Sequence, residues 1–168
     1  ATLALEAFSS ISSAAVIEFS DFSDVSGLQL NGSASASGGI LTLTSENSQS
    51  GSAFISNTVS LNNQSSFSAY FQFQIPDPAG VNDTDGAGAD GLAFVVQTNN
   101  NTAGGTGGGI GYQGITNSVA VEFDTYNNGS WDDFSGNHLG INLGGNINSV
   151  VQVNEVTRFN DGDIWSVW

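Results

Sequence analysis

Residues 119–140, VAVEFDTYNNGSWDDFSGNHLG, contain the side chains of this chain that are best suited to bind a metal ion. The alternation in VAVEFD predicts a strand with Glu122 and Asp124 on one face and larger apolar side chains on the other. An acidic loop follows, and the only histidine of the chain, His138, begins a second alternating run, HLGINL. Carboxylates and an imidazole placed this close together predict a metal site.

The donor types in this stretch indicate two unlike ions. Carboxylate, amide and backbone carbonyl oxygens suit calcium, whereas imidazole suits a transition metal such as manganese or zinc. The cluster could therefore hold two ions that share carboxylates, with the transition metal beside His138. Taken alone, an Asp- and Asn-rich segment is more often a solvated turn. The candidate ligands are Glu122, Asp124, Tyr126 through its carbonyl oxygen, Asn128, Asp133 and His138, with Asp132 as a rival of Asp133.

The elements that must position these residues are predicted to be strands. The 168-residue chain has 22 glycines, only two prolines, and many short apolar runs between polar turns, which is typical of an all-β fold. The run 66–75 alternates phenylalanines with polar residues, so one of its faces should be core, and the apolar run 91–96 should be buried on both faces. Segments 76–88 and 99–111 should be loops. The predicted strands are 16–19, 28–30, 40–43, 53–55, 66–75, 91–96, 119–124, 138–143, 150–153 and 164–168.

The chain is expected to form one domain, residues 16–168, preceded by an N-terminal arm, residues 1–15. The last segment, DIWSVW, stops inside a predicted strand, so C-terminal strands of the domain are expected to be missing from this sequence. Cysteine is absent, and a disulfide framework is therefore excluded.

The charge balance excludes several classes of partner. Sixteen acidic residues stand against one basic residue, Arg158. Such a surface repels nucleic acid, because it offers no basic patch to phosphates, and it disfavours anionic membranes. No apolar run approaches the roughly 20 residues that span a bilayer, so membrane insertion is not expected. The composition suits a secreted, extracellular protein, and solubility alone would explain the charge about equally well.

The sequence VAVEFDTYNN, followed by an aspartate and five residues later by a histidine ahead of LGIN, resembles the metal-binding segment of legume-type (L-type) lectins. GADGLAFVV, GGGIGYQG and GDIWSVW extend the similarity over most of the chain. The resemblance implies a concanavalin A-like jelly-roll β-sandwich of antiparallel sheets. It also implies Mn²⁺, or another transition metal, on Glu122, Asp124, Asp133 and His138, and Ca²⁺ on Asp124, the Tyr126 carbonyl, Asn128 and Asp133.

The same resemblance implies a sugar-binding site. Asp90, following a cis peptide bond from Ala89, would accept hydrogen bonds from two sugar hydroxyls. Gly108 would donate its N–H, Asn128 its amide, and the ring of Tyr126 would stack on the sugar. Alone, Asp90 would be a turn residue and the glycines a loop without a role, and which glycine of 107–109 donates is open. Trp131, Trp165 and Trp168 are interpreted as packing residues, although Trp131 is near enough in sequence to the site to be ambiguous.

The resulting hypothesis is a calcium- and transition-metal-dependent lectin that binds glycans or glycoconjugates. A secreted microbial protein, the recognition module of an adhesin, is the expected setting, with a homo-oligomer or a larger extracellular assembly as its state. The chain is not expected to be an enzyme, because jelly-roll glycosidases need a second carboxylate where Asn127 stands. The alternative is a structural subunit of an extracellular filament or surface layer that retains the fold and the metals.

Overall fold

The computed structural model describes residues 16–61, 65–76, 81–84, 86–99, 101–131, 134–155 and 157–168. Two short 3-10 turns accompany the strands, Gly107–Gly109 and Gly129–Trp131. No helix in these ranges is long and apolar enough to cross a membrane. The strands are β1 Leu28–Gly32, β2 Ser35–Ser37, β3 Ile40–Thr42, β4 Gly51–Ile55, β5 Phe71–Phe73, β6 Asn82–Asp83, β7 Gly86–Ala87, β8 Gly91–Gln97, β9 Ser118–Asp124, β10 His138–Leu143, β11 Val151–Asn154 and β12 Trp165–Val167.

A four-stranded antiparallel sheet in the order β11-β10-β9-β8 forms the centre of the described structure. The register pairs Phe123 with Leu92 of β8 and with Leu139 of β10. Because side chains alternate along each strand, this pairing collects the large apolar residues of three strands on one face. The opposite face carries Glu122, Asp124 and the histidine that begins β10. The sequence pattern thus separates an apolar face, which packs, from a chemical face, which carries the candidate ligands.

Aromatic rings cover the apolar face. The short pair β5–β12 lies over it, with the Phe71 and Phe94 ring centroids 5.3 Å apart and those of Phe73 and Phe123 5.0 Å apart. Phe159, 2% exposed, contacts Phe123 edge-on at 5.5 Å. Such ring pairs add to the hydrophobic burial of the side chains. They pack β9 against the β5–β12 pair and Phe159.

A second cluster covers part of the chemical face. It consists of Tyr112, Ile115, Ala120 and Ile147, all buried, with Ala93, Val95 and Ile110 packed against it. The Tyr112 hydroxyl accepts a hydrogen bond of 3.0 Å from the N–H of Gly145. The hydroxyl of Tyr112 also lies 3.1 Å from that of Ser118. The loop before β9 is therefore fixed to the turn that follows β10.

The all-β prediction is confirmed, and the strands 138–143 and 119–124 lie almost as predicted. The strand predicted at 66–75 is wrong in extent, because only Phe71–Phe73 pairs with β12, and Phe67 is 57% exposed. No strand forms at 16–19. The loop predicted at 76–88 contains the β6–β7 pair, which the sequence signals missed. The predicted arm, residues 1–15, lies outside the described residues.

Candidate functional site

The predicted metal ligands of β9 and β10 lie side by side on the chemical face. His138 is paired with Asp124 across the two strands, and Gly140 is paired with Glu122. His138 is 0% exposed, and Glu122 and Asp124 are each 1% exposed. His138 Nε2 donates to Glu122 Oε1 at 2.8 Å. His138 Nδ1 lies 3.3 Å from the carbonyl of Ser135.

Glu122 is held by a hydrogen-bond network from the following strand and turn. The Ser149 hydroxyl lies 2.8 Å from Glu122 Oε1, and Asn142 Nδ2 donates to Glu122 Oε2. The same hydroxyl lies 2.6 Å from Asn142 Oδ1, so its single proton is donated to one or the other of these two acceptors. A Cβ atom at Gly140 would overlap both the Ser149 hydroxyl and the Glu122 carboxylate. Glycine is therefore required at position 140, and the buried carboxylate has the partners that burial demands.

The electrostatics of the pair favour a charged imidazole. Burial by itself would lower the pKa of His138, but the hydrogen bond to Glu122 and the charges of Asp124 and Glu122 outweigh it and raise that pKa. Asp124 also turns the chain that follows it, because its Oδ1 accepts the N–H of Tyr126 at 2.7 Å. The carboxylate of Asp124 thus shapes the loop that contains Tyr126 and Asn128.

The donor chemistry of these residues fits the implied ions. Two buried carboxylates and an imidazole on adjacent strands are the donor types that a transition metal takes from a protein, and Asn128 adds an amide oxygen of the kind calcium takes. Asp133, and its rival Asp132, lie outside the described residues. Within the described ranges no group of three or more His, Asp or Glu side chains is already arranged around one point as a metal site. His138 and Glu122 bond each other.

A glycine turn brings the predicted sugar-binding residues together. A Cβ atom at Gly108 would lie 2.7 Å from Asn128 Nδ2 and 2.7 Å from Trp131 Cζ3. A Cβ atom at Gly107 would lie 3.9 Å from Asp90 Oδ2. The Gly107–Gly109 turn therefore lies directly beside Asp90 and Asn128, at a distance that only glycine at position 108 permits.

Asp90 is fixed through both its backbone and its side chain. The Ala89–Asp90 peptide is cis, as the resemblance implies. The carbonyl of Asp90 accepts the N–H of Thr125 at 3.1 Å. Its half-buried carboxyl has a raised pKa because burial disfavours the charge, an effect that a hydrogen bond from Asn128 partly offsets. Asp90 thus connects the turn before β8 with the loop after β9.

The structure places three of the four predicted sugar-binding residues, Asp90, Gly108 and Asn128, in one cluster. Tyr126 lies in the same loop as Asn128 and is half-buried.

The prediction that the tryptophans are packing residues is confirmed for Trp165, whose ring packs on Phe159. Trp168 is 90% exposed and does not pack within the described residues. Trp131, which the sequence left ambiguous, is 46% exposed and lies beside Gly108. Its position three residues after Asn128 was the only sequence signal for Trp131.

Comparison with known proteins identifies a family whose model matches the whole described region. The profile of the Legume lectin domain matches residues 15–168. The L-type lectin-domain containing receptor kinase VIII.1 of Arabidopsis thaliana is 37% identical over 145 residues, covering 77% of this chain and 20% of that protein. Seed agglutinin 2 of Robinia pseudoacacia is 37% identical over 115 residues, or 63% of this chain and 36% of that protein.

A third relative is named for its ligand. The 2-acetamido-2-deoxy-D-galactose-binding seed lectin 2 of Cytisus scoparius is 34% identical over 91 residues, covering 50% of this chain and 36% of that protein. This chain therefore spans about a fifth of the receptor kinase and just over a third of the seed lectins. These relatives are plant proteins, and the expected microbial origin finds no support in them.

Proposed function

Because this chain belongs to the legume lectin family, we propose that it binds carbohydrate in the cluster formed by Asp90, Gly108 and Asn128. The observation that carries the proposal is the contact of the Gly107–Gly109 turn with both Asn128 and Trp131, next to Asp90. These residues come from three separate segments of the chain. Their meeting beside a half-exposed aromatic ring is what recognition of a small polar ligand requires.

The chemistry of the cluster matches a sugar. The Asp90 carboxylate accepts hydrogen bonds from two hydroxyls, and a charged acceptor makes them strong. The N–H of Gly108 and the amide of Asn128 supply donors, while the absence of a side chain at Gly108 lets the sugar approach the backbone. Tyr126 or Trp131 covers the weakly apolar face of the sugar ring. The proposed activity is binding without catalysis.

We include two metal ions in the proposal, Ca²⁺ and Mn²⁺ or another transition metal. Glu122, Asp124, Asp133 and His138 would hold the transition metal. Asp124, the Tyr126 carbonyl, Asn128 and Asp133 would hold calcium. The ions would supply fixed positive charge that orders the loop after β9. Support comes from the burial of the three β9 and β10 ligands and from the Asp124–Tyr126 hydrogen bond, which already bends this loop.

The setting of the protein is proposed on the same basis. The partners are glycans or glycoconjugates outside the cell, and one exposed site of this kind would bind a sugar only modestly. Association into a homo-oligomer or an extracellular assembly would then raise the effective affinity through multivalency. Because one relative is named for 2-acetamido-2-deoxy-D-galactose, that sugar is a suitable first ligand to test.

A glycan array probed with the whole chain in Ca²⁺ and Mn²⁺ tests the proposal. The wild type should bind glycans, Asp90→Ala should lose binding while it keeps its metals, and a chelator should abolish binding reversibly. Asp163→Ala, the same change at an exposed carboxylate away from the cluster, should bind like the wild type. The proposal is wrong if the metal-loaded wild type binds no glycan, or if Asp90→Ala binds as well as the wild type.

A further inference from the structure

The only basic residue of the chain bonds to the loop that follows the metal ligands of β9. Arg158 Nη2 donates to the carbonyl of Thr125 at 3.0 Å, and Arg158 Nε donates to Asn160 Oδ1 at 3.0 Å. In a chain with sixteen acidic residues, these two bonds nevertheless go to neutral oxygens. The planar guanidinium offers donors in a fixed geometry. Its contacts therefore suit a positional role.

Asn160 donates a hydrogen bond to the β6–β7 hairpin, which precedes Asp90 in the chain. It is 3% exposed, and its Nδ2 donates to the carbonyl of Ala87 at 2.9 Å. The guanidinium of Arg158 packs over the same hairpin, since a Cβ atom at Gly86 would lie 3.7 Å from Arg158 Cζ. One side-chain pair thus contacts the β6–β7 hairpin and the loop after β9 together.

Phe159, which lies between Arg158 and Asn160 in the sequence, anchors both residues to the core. Phe159 is 2% exposed, and its ring contacts those of Phe123 and Trp165. Its N–H donates to Asn137 Oδ1 at 3.2 Å. The side chains of Arg158 and Asn160 therefore project from a fixed base. A fixed base is what allows hydrogen bonds to set the position of a loop.

A continuous series of hydrogen bonds leads from this base to the proposed sugar acceptor. Arg158 bonds the carbonyl of Thr125, and the N–H of Thr125 bonds the carbonyl of Asp90 at 3.1 Å. Asn160 holds Ala87, three residues before Asp90. Thr125 itself is 2% exposed, so solvent cannot replace these partners without local opening.

We propose that Arg158 and Asn160 are positioning residues that hold Asp90 against the loop after β9 and thereby set the geometry of the sugar site. The inference rests on the proposed function for its effect on binding. Its structural part, the fixation of Thr125 and Ala87, is measurable without any sugar. Neither residue belongs to the proposed metal or sugar contacts.

The test compares Arg158→Gln, Arg158→Lys and Asn160→Asp in the metal-loaded chain. Asn160→Asp keeps the acceptor for Arg158 but loses the donor to Ala87. Gln74→Ala is the matched control, because it removes a 2.6 Å bond to the carbonyl of Gly162 without contact to Thr125 or Ala87. The measurements are amide hydrogen exchange by NMR, metal content, and affinity for a glycan that the wild type binds on the array.

The amide of Thr125 should exchange faster in Arg158→Gln, and that of Gly88, which bonds Val81, faster in Asn160→Asp. Sugar affinity should fall about tenfold in both, the upper end of the net contribution of one intramolecular hydrogen bond. Both metals should stay bound. Arg158→Lys should recover part of the affinity, because its ammonium can still donate to Thr125. Gln74→Ala should change neither amide nor affinity.

Unchanged exchange at both amides and unchanged affinity would overturn the inference. Faster exchange in the variants, together with a wild type that binds no glycan, would instead support the positional role while contradicting the proposed function. If Arg158→Gln fails to fold, Asn160→Asp and Arg158→Lys decide the matter through the same measurements. A loss of thermal stability equal to that of Gln74→Ala, with no selective change at Thr125 or Gly88, also counts against the proposal.

Discussion

His138 Nε2 and Glu122 Oε1 lie 2.8 Å apart on adjacent strands, and both side chains are almost completely buried. A buried carboxylate is tolerated only with strong partners. Glu122 has three, since Ser149 and Asn142 bond its oxygens as well. The pair is therefore fixed before any ligand arrives, and the Nε2 proton of His138 must leave before that nitrogen can bind a metal.

Glu122→Gln should remove the transition metal while leaving calcium bound, because Glu122 belongs only to the proposed transition-metal set. We expect the affinity for Mn²⁺ to fall by at least about a hundredfold, beyond the loss typical of partners that only support a ligand. Titration calorimetry and elemental analysis measure both ions. Glu155→Gln makes the same change at an exposed position and should alter neither. Retention of Mn²⁺ by Glu122→Gln would remove Glu122 from the ligand set.

Gly140→Ala should damage the same site from the opposite strand. The added methyl group would overlap the Glu122 carboxylate and the Ser149 hydroxyl, so one of them must move. We expect the free energy of unfolding to fall by about 1 to 3 kcal/mol, the usual cost of overpacking, together with weaker Mn²⁺ binding. Chemical denaturation with and without the metal measures both effects. Equal stability and equal metal affinity would show that the network relaxes freely.

Several features of the site were predictable because they depend on local alternation. The side-chain parity of VAVEFD places Glu122 and Asp124 on one face, and β10 begins at His138 as predicted. The β6–β7 pair was not predictable, since its two-residue strands lie in an Asp- and Gly-rich segment without apolar alternation. The support of Glu122 by Asn142 and Ser149 depends on a turn between strands, and spacing alone does not reveal such contacts.

Sugar binding should depend on pH through Asp90. Burial raises its pKa, partly offset by the bond from Asn128, so the carboxylate form is lost at a higher pH than in an ordinary aspartate. Sugar affinity should be full above this raised pKa and should fall as pH drops through it. The free energy of unfolding should show the opposite trend at this residue, because protonation relieves the cost of burying the charge. Affinity titrations at saturating Ca²⁺ and Mn²⁺, with metal content checked at each pH, measure the midpoint. An affinity that stays constant to below the pKa of an ordinary aspartate would contradict this role of Asp90.

Gly108→Ala should weaken sugar binding with little effect on folding. The new methyl group would lie 2.7 Å from Asn128 Nδ2 and from Trp131 Cζ3, so it would displace a side chain of the proposed site. We expect a loss of at least about tenfold in affinity, since the altered residues contact the ligand directly. Gly27→Ala is the control, because a Cβ atom there would meet only Phe19, at 3.5 Å. Wild-type affinity in Gly108→Ala would mean that the turn lies outside the sugar site.

Trp131→Ala and Trp165→Ala should separate binding from stability. Trp131 is 46% exposed beside Gly108, whereas the ring of Trp165 packs edge-on against Phe159 at 5.0 Å. Removal of Trp165 should lower the free energy of unfolding by about 3 kcal/mol, the lower end for a large core aromatic. Removal of Trp131 should cost little stability but should weaken sugar binding about tenfold, the effect of losing one stacking surface. Denaturant titration and glycan affinity, measured on both variants, test the contrast. If Trp131→Ala bound the sugar normally, Tyr126 alone would remain as the aromatic contact, because the polar partners Asp90, Gly108 and Asn128 cannot cover the apolar face of a sugar.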